Sequence, residues 1–223
     1  MPDVRWFVGA ELNFAEYLLA QGESGDIAVV SADESDTTRL VDRATLRREV
    51  AGLARTLREL GVRRGDVVVG YLPNTAHGVV GLLATASIGA IWAAVGQDYS
   101  AKAAIDRLGQ LSPRVLITAD GYRFRGRSYS RGDAVAHIVA GIDSLSHVVA
   151  AEVIGSELPA AYLSWETATA AAPLEAPERM RFSDPLWVLF SSGTTGKPKG
   201  LVHSHGGVLI ELLKNLRLQM GMN

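Results

Sequence analysis

Between Val67 and Gln97 the chain carries no Asp, Glu, Lys or Arg, and from Gly78 to Gly96 it is almost wholly apolar. An uncharged stretch of that length has two solutions: it crosses a bilayer, or it sits at the centre of a folded domain. The residue types favour the second. Ala, Gly, Ser and Thr dominate rather than Leu and Ile. Pro73-Asn74-Thr75 has the make-up of a helix start and Gly89 that of a stop, and a second apolar run, Ile91-Trp92-Ala93-Ala94-Val95, follows. The stretch therefore predicts a buried helix followed by a buried strand.

The same alternation continues on either side. Ile27-Ala28-Val29-Val30 reads as a strand. Leu46, Val50, Leu53, Leu57 and Leu60 recur at four- and three-residue steps, which makes one apolar helix face, with Asp42 placed to cap its start and Gly61 its end. That stripe is short for a coiled coil and suits packing on a sheet. Val67-Val68-Val69 predicts a buried strand, Ala101–Leu111 a helix, and Val115-Leu116-Ile117-Thr118 another strand. From Glu152 to Arg181 the pattern weakens and prolines 159, 173 and 177 suggest a surface connection with one short helix. Periodicity returns at Leu186, and Val208, Leu209, Leu212, Leu213 and Leu216 mark an amphipathic helix. The sum is an α/β fold, with helices layered on a largely parallel sheet. Residues 1–180 read as a first α/β lobe and 181–223 as a strand–loop–strand with its following helix.

A net charge of −2 argues against broad electrostatic binding of nucleic acid or of anionic membrane. With no cysteine there is no disulfide framework, thiolate nucleophile or cysteine metal site. The N-terminus lacks the basic-then-apolar layout of a signal peptide. A cytoplasmic protein without nucleic-acid or membrane partners is the expectation.

The chemistry concentrates in Ser191-Ser192-Gly193-Thr194-Thr195-Gly196-Lys197-Pro198-Lys199-Gly200. Glycines let the backbone bring several N–H groups round one anion. Hydroxyls add donors and lysines add positive charge, which together make a polyphosphate cradle. It is not the common P-loop, because Gly193 and Gly196 stand too close together and Pro198 follows the lysine where a hydroxyl belongs. Pro198 and Gly200 also oppose a helix leaving the loop. Apolar runs on both sides, Leu186-Trp187-Val188-Leu189-Phe190 and Leu201-Val202-His203, predict a strand–loop–strand instead. A plain Gly/Ser/Thr-rich turn, the alternative, has no need of two lysines.

This ten-residue run resembles the signature loop of the acyl-adenylate-forming (AMP-binding) enzymes, which include acyl-CoA synthetases, luciferases and peptide-synthetase adenylation domains. Trp6-Phe7 with Leu12-Asn13-Phe14-Ala15-Glu16 resembles the entry segment of short-chain acyl-CoA synthetases. Leu60-Gly61-Val62-Arg63-Arg64-Gly65-Asp66 resembles a helix-to-strand turn common across the superfamily. Asp106-Arg107-Leu108-Gly109-Gln110 through Pro113-Arg114-Val115-Leu116 and Asp120–Arg127 looks most like acetoacetyl-CoA synthetases, relatives of acetyl-CoA synthetases.

The resemblance implies a two-step reaction. A carboxylate, with acetoacetate favoured over acetate or propionate, attacks the α-phosphate of ATP to give acyl-AMP and pyrophosphate. Coenzyme A thiol then attacks the acyl carbon and releases AMP. It implies that Ser191, Ser192, Gly193, Thr194, Thr195, Gly196, Lys197 and Lys199 hold the phosphates. Lys199 is the better candidate for a fixed role, and a magnesium ion arrives with the nucleotide rather than on a carboxylate cluster. An Arg-x-Gly-Arg stretch contacts the nucleotide end of coenzyme A in acetyl-CoA synthetases. Gly126 and Arg127 match its end, while Arg123 or Arg125 takes the place of its first arginine. The alternative for this cluster is a solvated edge hairpin. His205 falls where many members have a histidine near the acyl pocket, whereas acetyl-CoA synthetases resemble His203. A neutral histidine packed beside the sheet is the alternative for each. No metal site is expected. The resemblance further implies that this chain is part of the large N-terminal domain of such an enzyme, without its C-terminal domain and adenylation lysine. The 223 residues alone are therefore expected not to turn over.

Overall fold

A computed structural model of the chain describes residues 4, 6–32, 38–174, 176–191 and 196–222. The N-terminal segment supplies a two-residue strand β1 (Glu11–Leu12) and helix α1 (Phe14–Leu19). A hairpin follows, β2 (Ile27–Ala32) with β3 (Thr38–Asp42), and then helix α2 (Arg43–Glu59). Asp42 caps α2 by accepting from the Thr45 N–H at 2.6 Å. Gly61 ends the turn in the left-handed region at φ +83°.

The uncharged stretch is buried in the middle of the protein. It forms β4 (Val67–Leu72), α3 (Ala76–Ser87) and β5 (Ile91–Gly96). Among the described residues no helix is long and apolar enough to cross a membrane. Trp92 of β5 is accommodated because Gly70 and Gly81 have no side chain: a Cβ at either would lie within 2.9 Å of the indole ring. The chain continues through α4 (Ala101–Leu108), a 3-10 turn at Gly109–Leu111, β6 (Val115–Ala119), the hairpin β7 (Gly121–Phe124) and β8 (Arg127–Ser130), and α5 (Gly132–Gly141). Next come β9 (His147–Ala151), β10 (Leu163–Ser164), α6 (Trp165–Thr169) and β11 (Met180–Arg181), which pairs with β1. The chain then forms β12 (Pro185–Ser191), β13 (Lys199–Ser204), α7 (His205–Leu213) and a π-helical segment, Lys214–Gln219.

Among the described residues seven strands form one sheet in the order β10-β9-β6-β4-β5-β12-β13. All neighbours are parallel except β12 and β13. Strand alternation sends Val68, Leu72, Trp92 and Ile117 into a core shared with α1, α2, α3 and α6. Val69, Tyr71, Ala93 and Leu116 enter a second core under α4 and α5. The result is a three-layer α/β/α arrangement, matching the expected class. β12 and β13 join the same sheet as β4–β6.

Three details differ from the sequence expectation. The helix expected to Leu111 tightens to 3-10 geometry after Leu108. The stripe on α7 is only partly covered: Val208 and Leu209 are buried, but Leu212 and Leu216 are exposed. The weak region 152–181 contains, besides the short helix α6, two-residue strands that close the sheet edge and pin β1.

Candidate functional site

The phosphate-type loop is carried by a hairpin. β12 runs parallel to β5 through the Trp187–Trp92 pair and returns as β13, with Phe190 opposite Gly200 and Ser191 opposite Lys199. A Cβ at Gly200 would meet Val188 Cγ1 at 2.9 Å, so glycine is what lets the two strands close here. Ser192, Gly193, Thr194 and Thr195 lie outside the described residues. Of the rest, Ser191 is half-buried at the end of β12, Gly196 has φ +112°, and Lys197 and Lys199 are exposed. Gln110 Nε2 donates to the Pro198 carbonyl at 3.2 Å. Asp106 lies nearby on α4, its carboxyl held below the usual range first by a hydrogen bond from Lys102 and further by cations that include Lys197.

The arginine cluster forms a hairpin of its own, with Phe124 opposite Arg127 across a two-residue turn. Arg125 and Gly126 sit in that turn at φ +50° and +71°, as the primed turns require. The hairpin is rooted by buried Asp120, whose carboxylate accepts from the N–H groups of Val153, Ile154 and Ser156. Tyr122 stacks on Tyr129, and Arg131 lies 4.9 Å over the Tyr122 ring while donating to its hydroxyl. The Arg125 guanidinium folds over Phe124 at 5.2 Å. Gly126 and Arg127 are exposed at the tip, and Arg123 borders a cavity of about 730 Å³.

That cavity has a topological origin. β4 leads into α3 on one face of the sheet and β5 leads into α4 on the other. The two helices diverge and leave a crevice beyond the carboxyl ends of β4 and β5, the place where open α/β sheets take ligands. Pro73, Asn74 and Thr75 wall it from the β4 side, and Gln97 and Asp98 from the β5 side. The Tyr71 hydroxyl holds the second wall by donating to the Tyr99 carbonyl at 2.8 Å. Gln97 Oε1 is buried with no hydrogen-bond partner among the described residues, while its amide nitrogen donates to Ala119 O at 2.7 Å. Arg39 of β3 also reaches the cavity. The sequence reading missed Arg39, Gln97 and Asp98 as lining residues and took Pro73-Asn74-Thr75 only as a helix start. The signal available was positional, since each of the last five follows a parallel strand.

The two histidines point to different places. His203 is half-buried and its Nδ1 accepts from the Trp187 indole N–H at 2.8 Å. It borders a groove of about 500 Å³ between β12–β13 and α7, with Leu189, Val202 and Glu211. His205 is wholly buried at the start of α7. Its Nδ1 accepts from the Phe14 N–H at 3.2 Å and its own N–H donates to Asp184 O. Burial holds its pKa at about 4. The structure thus does not bring the acyl-pocket candidates together: His203 edges a cavity, and His205 fastens α1 to α7 as a neutral histidine beside the sheet. Among the described residues no group of three or more His, Cys, Asp or Glu side chains is placed to hold a metal ion.

The chain is 38% identical to the acetoacetyl-CoA synthetase of Macaca fascicularis over 230 residues, 97% of this chain and 34% of that protein. It is 36% identical to the acetoacetyl-coenzyme A synthetase of Rhizobium meliloti (strain 1021), covering all of this chain and 35% of that one. The solved structure of an acetoacetyl-CoA synthetase from Streptomyces lividans superposes with a TM-score of 0.96 at 45% identity, over 100% of this chain and 35% of that one. The chain spans about a third of the length of these relatives. A model of the AMP-binding enzyme family matches residues 19–222, and the chain belongs to that family.

Proposed function

We propose that this chain is the phosphate-holding and coenzyme-A-facing part of an ATP-dependent acid–thiol ligase whose acid is acetoacetate. The observation that carries the reading is the hairpin β12–β13, which presents Ser191, Gly196, Lys197 and Lys199 at one loop, in a chain whose relatives carry the acetoacetyl-CoA synthetase name. Ser192, Gly193, Thr194 and Thr195 complete the cradle in this reading. In the first step a carboxylate oxygen bonds to the α-phosphorus of ATP and the bond to the bridging oxygen of pyrophosphate breaks. In the second the coenzyme A sulfur bonds to the acyl carbon, the carbon–oxygen bond to AMP breaks, and the thiol proton leaves to solvent. Charge builds on phosphate oxygens in the first step, which is where fixed cations and N–H donors act. A magnesium ion arriving with the nucleotide would add positive charge against the phosphates beside that of Lys197 and Lys199.

For coenzyme A the supporting geometry is the crevice at the ends of β4 and β5. Arg123 and Arg39 give it cationic walls suited to the phosphates of the nucleotide end, and Arg125, Gly126 and Arg127 stand at the tip of the hairpin that carries Arg123. His203 is the acyl-side candidate that borders a cavity. The alternative acid is acetate or propionate, whose activation needs the same phosphate loop. A separate reading, a non-catalytic piece that binds nucleotide at most, needs only the loop on β12–β13.

The test is ATP–pyrophosphate exchange with acetoacetate, acetate and propionate, run beside a MgATP binding titration. Expected is MgATP binding that Lys199→Ala weakens by roughly tenfold, the size of one charge-assisted contact. Robust exchange would sink the non-catalytic reading. Exchange with acetate alone would sink acetoacetate, and absence of any MgATP binding would sink the cradle.

A further inference from the structure

We infer that Gln110 is a positioning residue for the lysine-bearing limb of the loop, docking Gly196-Lys197-Pro198 onto the end of α4. The inference rests on the reading of that loop as a polyphosphate site. Gln110 stands in the 3-10 turn that ends α4, and its carboxamide nitrogen carries two hydrogens with two partners. One goes to the Asp106 carbonyl at 2.6 Å, one helical turn back; the other goes to the Pro198 carbonyl at 3.2 Å, 88 residues away in sequence. The first bond orients the amide, so that the second meets the loop from a fixed direction.

The choice of Pro198 is informative. Proline has no N–H and its ring fixes φ, so anchoring its carbonyl determines the peptide between Lys197 and Lys199. Both lysine stems then leave from a settled base. Ordering a backbone residue costs conformational entropy, and a loop that is ordered before its ligand arrives does not meet that cost on binding. Asp106 adds a carboxylate on the same helix edge. It is hydrogen-bonded by Lys102 at 2.8 Å and feels the charge of Lys197. Lys102, Asp106 and Gln110 recur every four residues and so share one face of the helix and its final turn. Gln110 is exposed, so neither core packing nor sheet pairing explains its two bonds.

The experiment uses the whole chain with Gln110→Glu, an isostere that loses both donors, and Gln110→Ala, which loses them without adding charge. Amide hydrogen exchange at Gly196 and Lys197, tripolyphosphate affinity and the thermal midpoint are measured for each. Both variants are expected to speed exchange at these two amides at least threefold and to weaken tripolyphosphate about fivefold, as one neutral hydrogen bond of about 1 kcal/mol does, with the midpoint unchanged. Exchange rates equal to wild type overturn the inference, and so does faster exchange with unaltered affinity. If the wild-type chain takes no tripolyphosphate, the reading of the loop fails separately, and the exchange rates still decide whether Gln110 docks it.

Discussion

His77 and His205 are held neutral inside the protein, each with its pKa lowered by burial to about 4. His77 packs edge-on against Trp165 and shares a hydrogen bond with Thr75. An unfolded histidine titrates near 6.5, so between about pH 6.5 and 4 the unfolded chain binds protons that the folded one refuses. Stability is complete above the unfolded value and is lost as pH falls through that window. Linkage gives a loss of about 2 kcal/mol per histidine between pH 7 and 5. Urea unfolding across this range is expected to show that decline, and a flat profile would contradict it. Glu49, raised by burial, works in the opposite direction. Asn13 is the other residue whose role appears only in the fold. It caps α1 by accepting from Ala15 and Glu16, while its amide donates to the Ala86 and Glu178 carbonyls. Its place in the Leu12–Glu16 motif was legible, but its two long-range partners were not, because nothing local marks which carbonyls the fold brings to it.

At the scale of elements, helices with strong local marks were the readable ones. α2 carries a complete apolar stripe, a capping Asp42 and a terminal Gly61, and each does what its chemistry suggests. α5 has Arg131 at its cap with no side-chain capping bond, and neither it nor the β9 strand after it carries a comparable signal. Gly52 of α2 shows how packing overrides propensity. In an isolated helix, Gly→Ala adds about 1 kcal/mol of stability. Here a Cβ at Gly52 would fall 2.1 Å from the Thr169 carbonyl oxygen of α6, a backbone atom that cannot swing aside. Gly52→Ala is therefore expected to destabilise by about 1–3 kcal/mol, the range for overpacking, read as a lowered urea midpoint. A raised midpoint would show that α6 moves away freely.

Over the whole molecule the two proposed anion-binding regions lie apart: the loop on β12–β13, the crevice on β4 and β5 of the same sheet with the separate β7–β8 hairpin beside it. Their effects are expected to separate. Arg123→Ala should weaken coenzyme A binding roughly tenfold and leave tripolyphosphate unaffected, while Lys199→Ala should do the reverse. Isothermal titration of both ligands against both variants checks this, and a shared loss would mean one site rather than two. The sequence alone determined the α/β class, the buried core at Val67–Gln97 and the strand pair flanking the Ser191–Gly200 run, because periodicity, capping and residue type are local properties. Only the tertiary structure decided that α3 and α4 diverge to open a crevice, that Arg39 joins Arg123 at it, that His203 and His205 part company, and that Gln110 reaches Pro198. Those depend on strand order and on contacts between residues far apart in the chain, and such contacts are set by how the layers pack rather than by any local pattern.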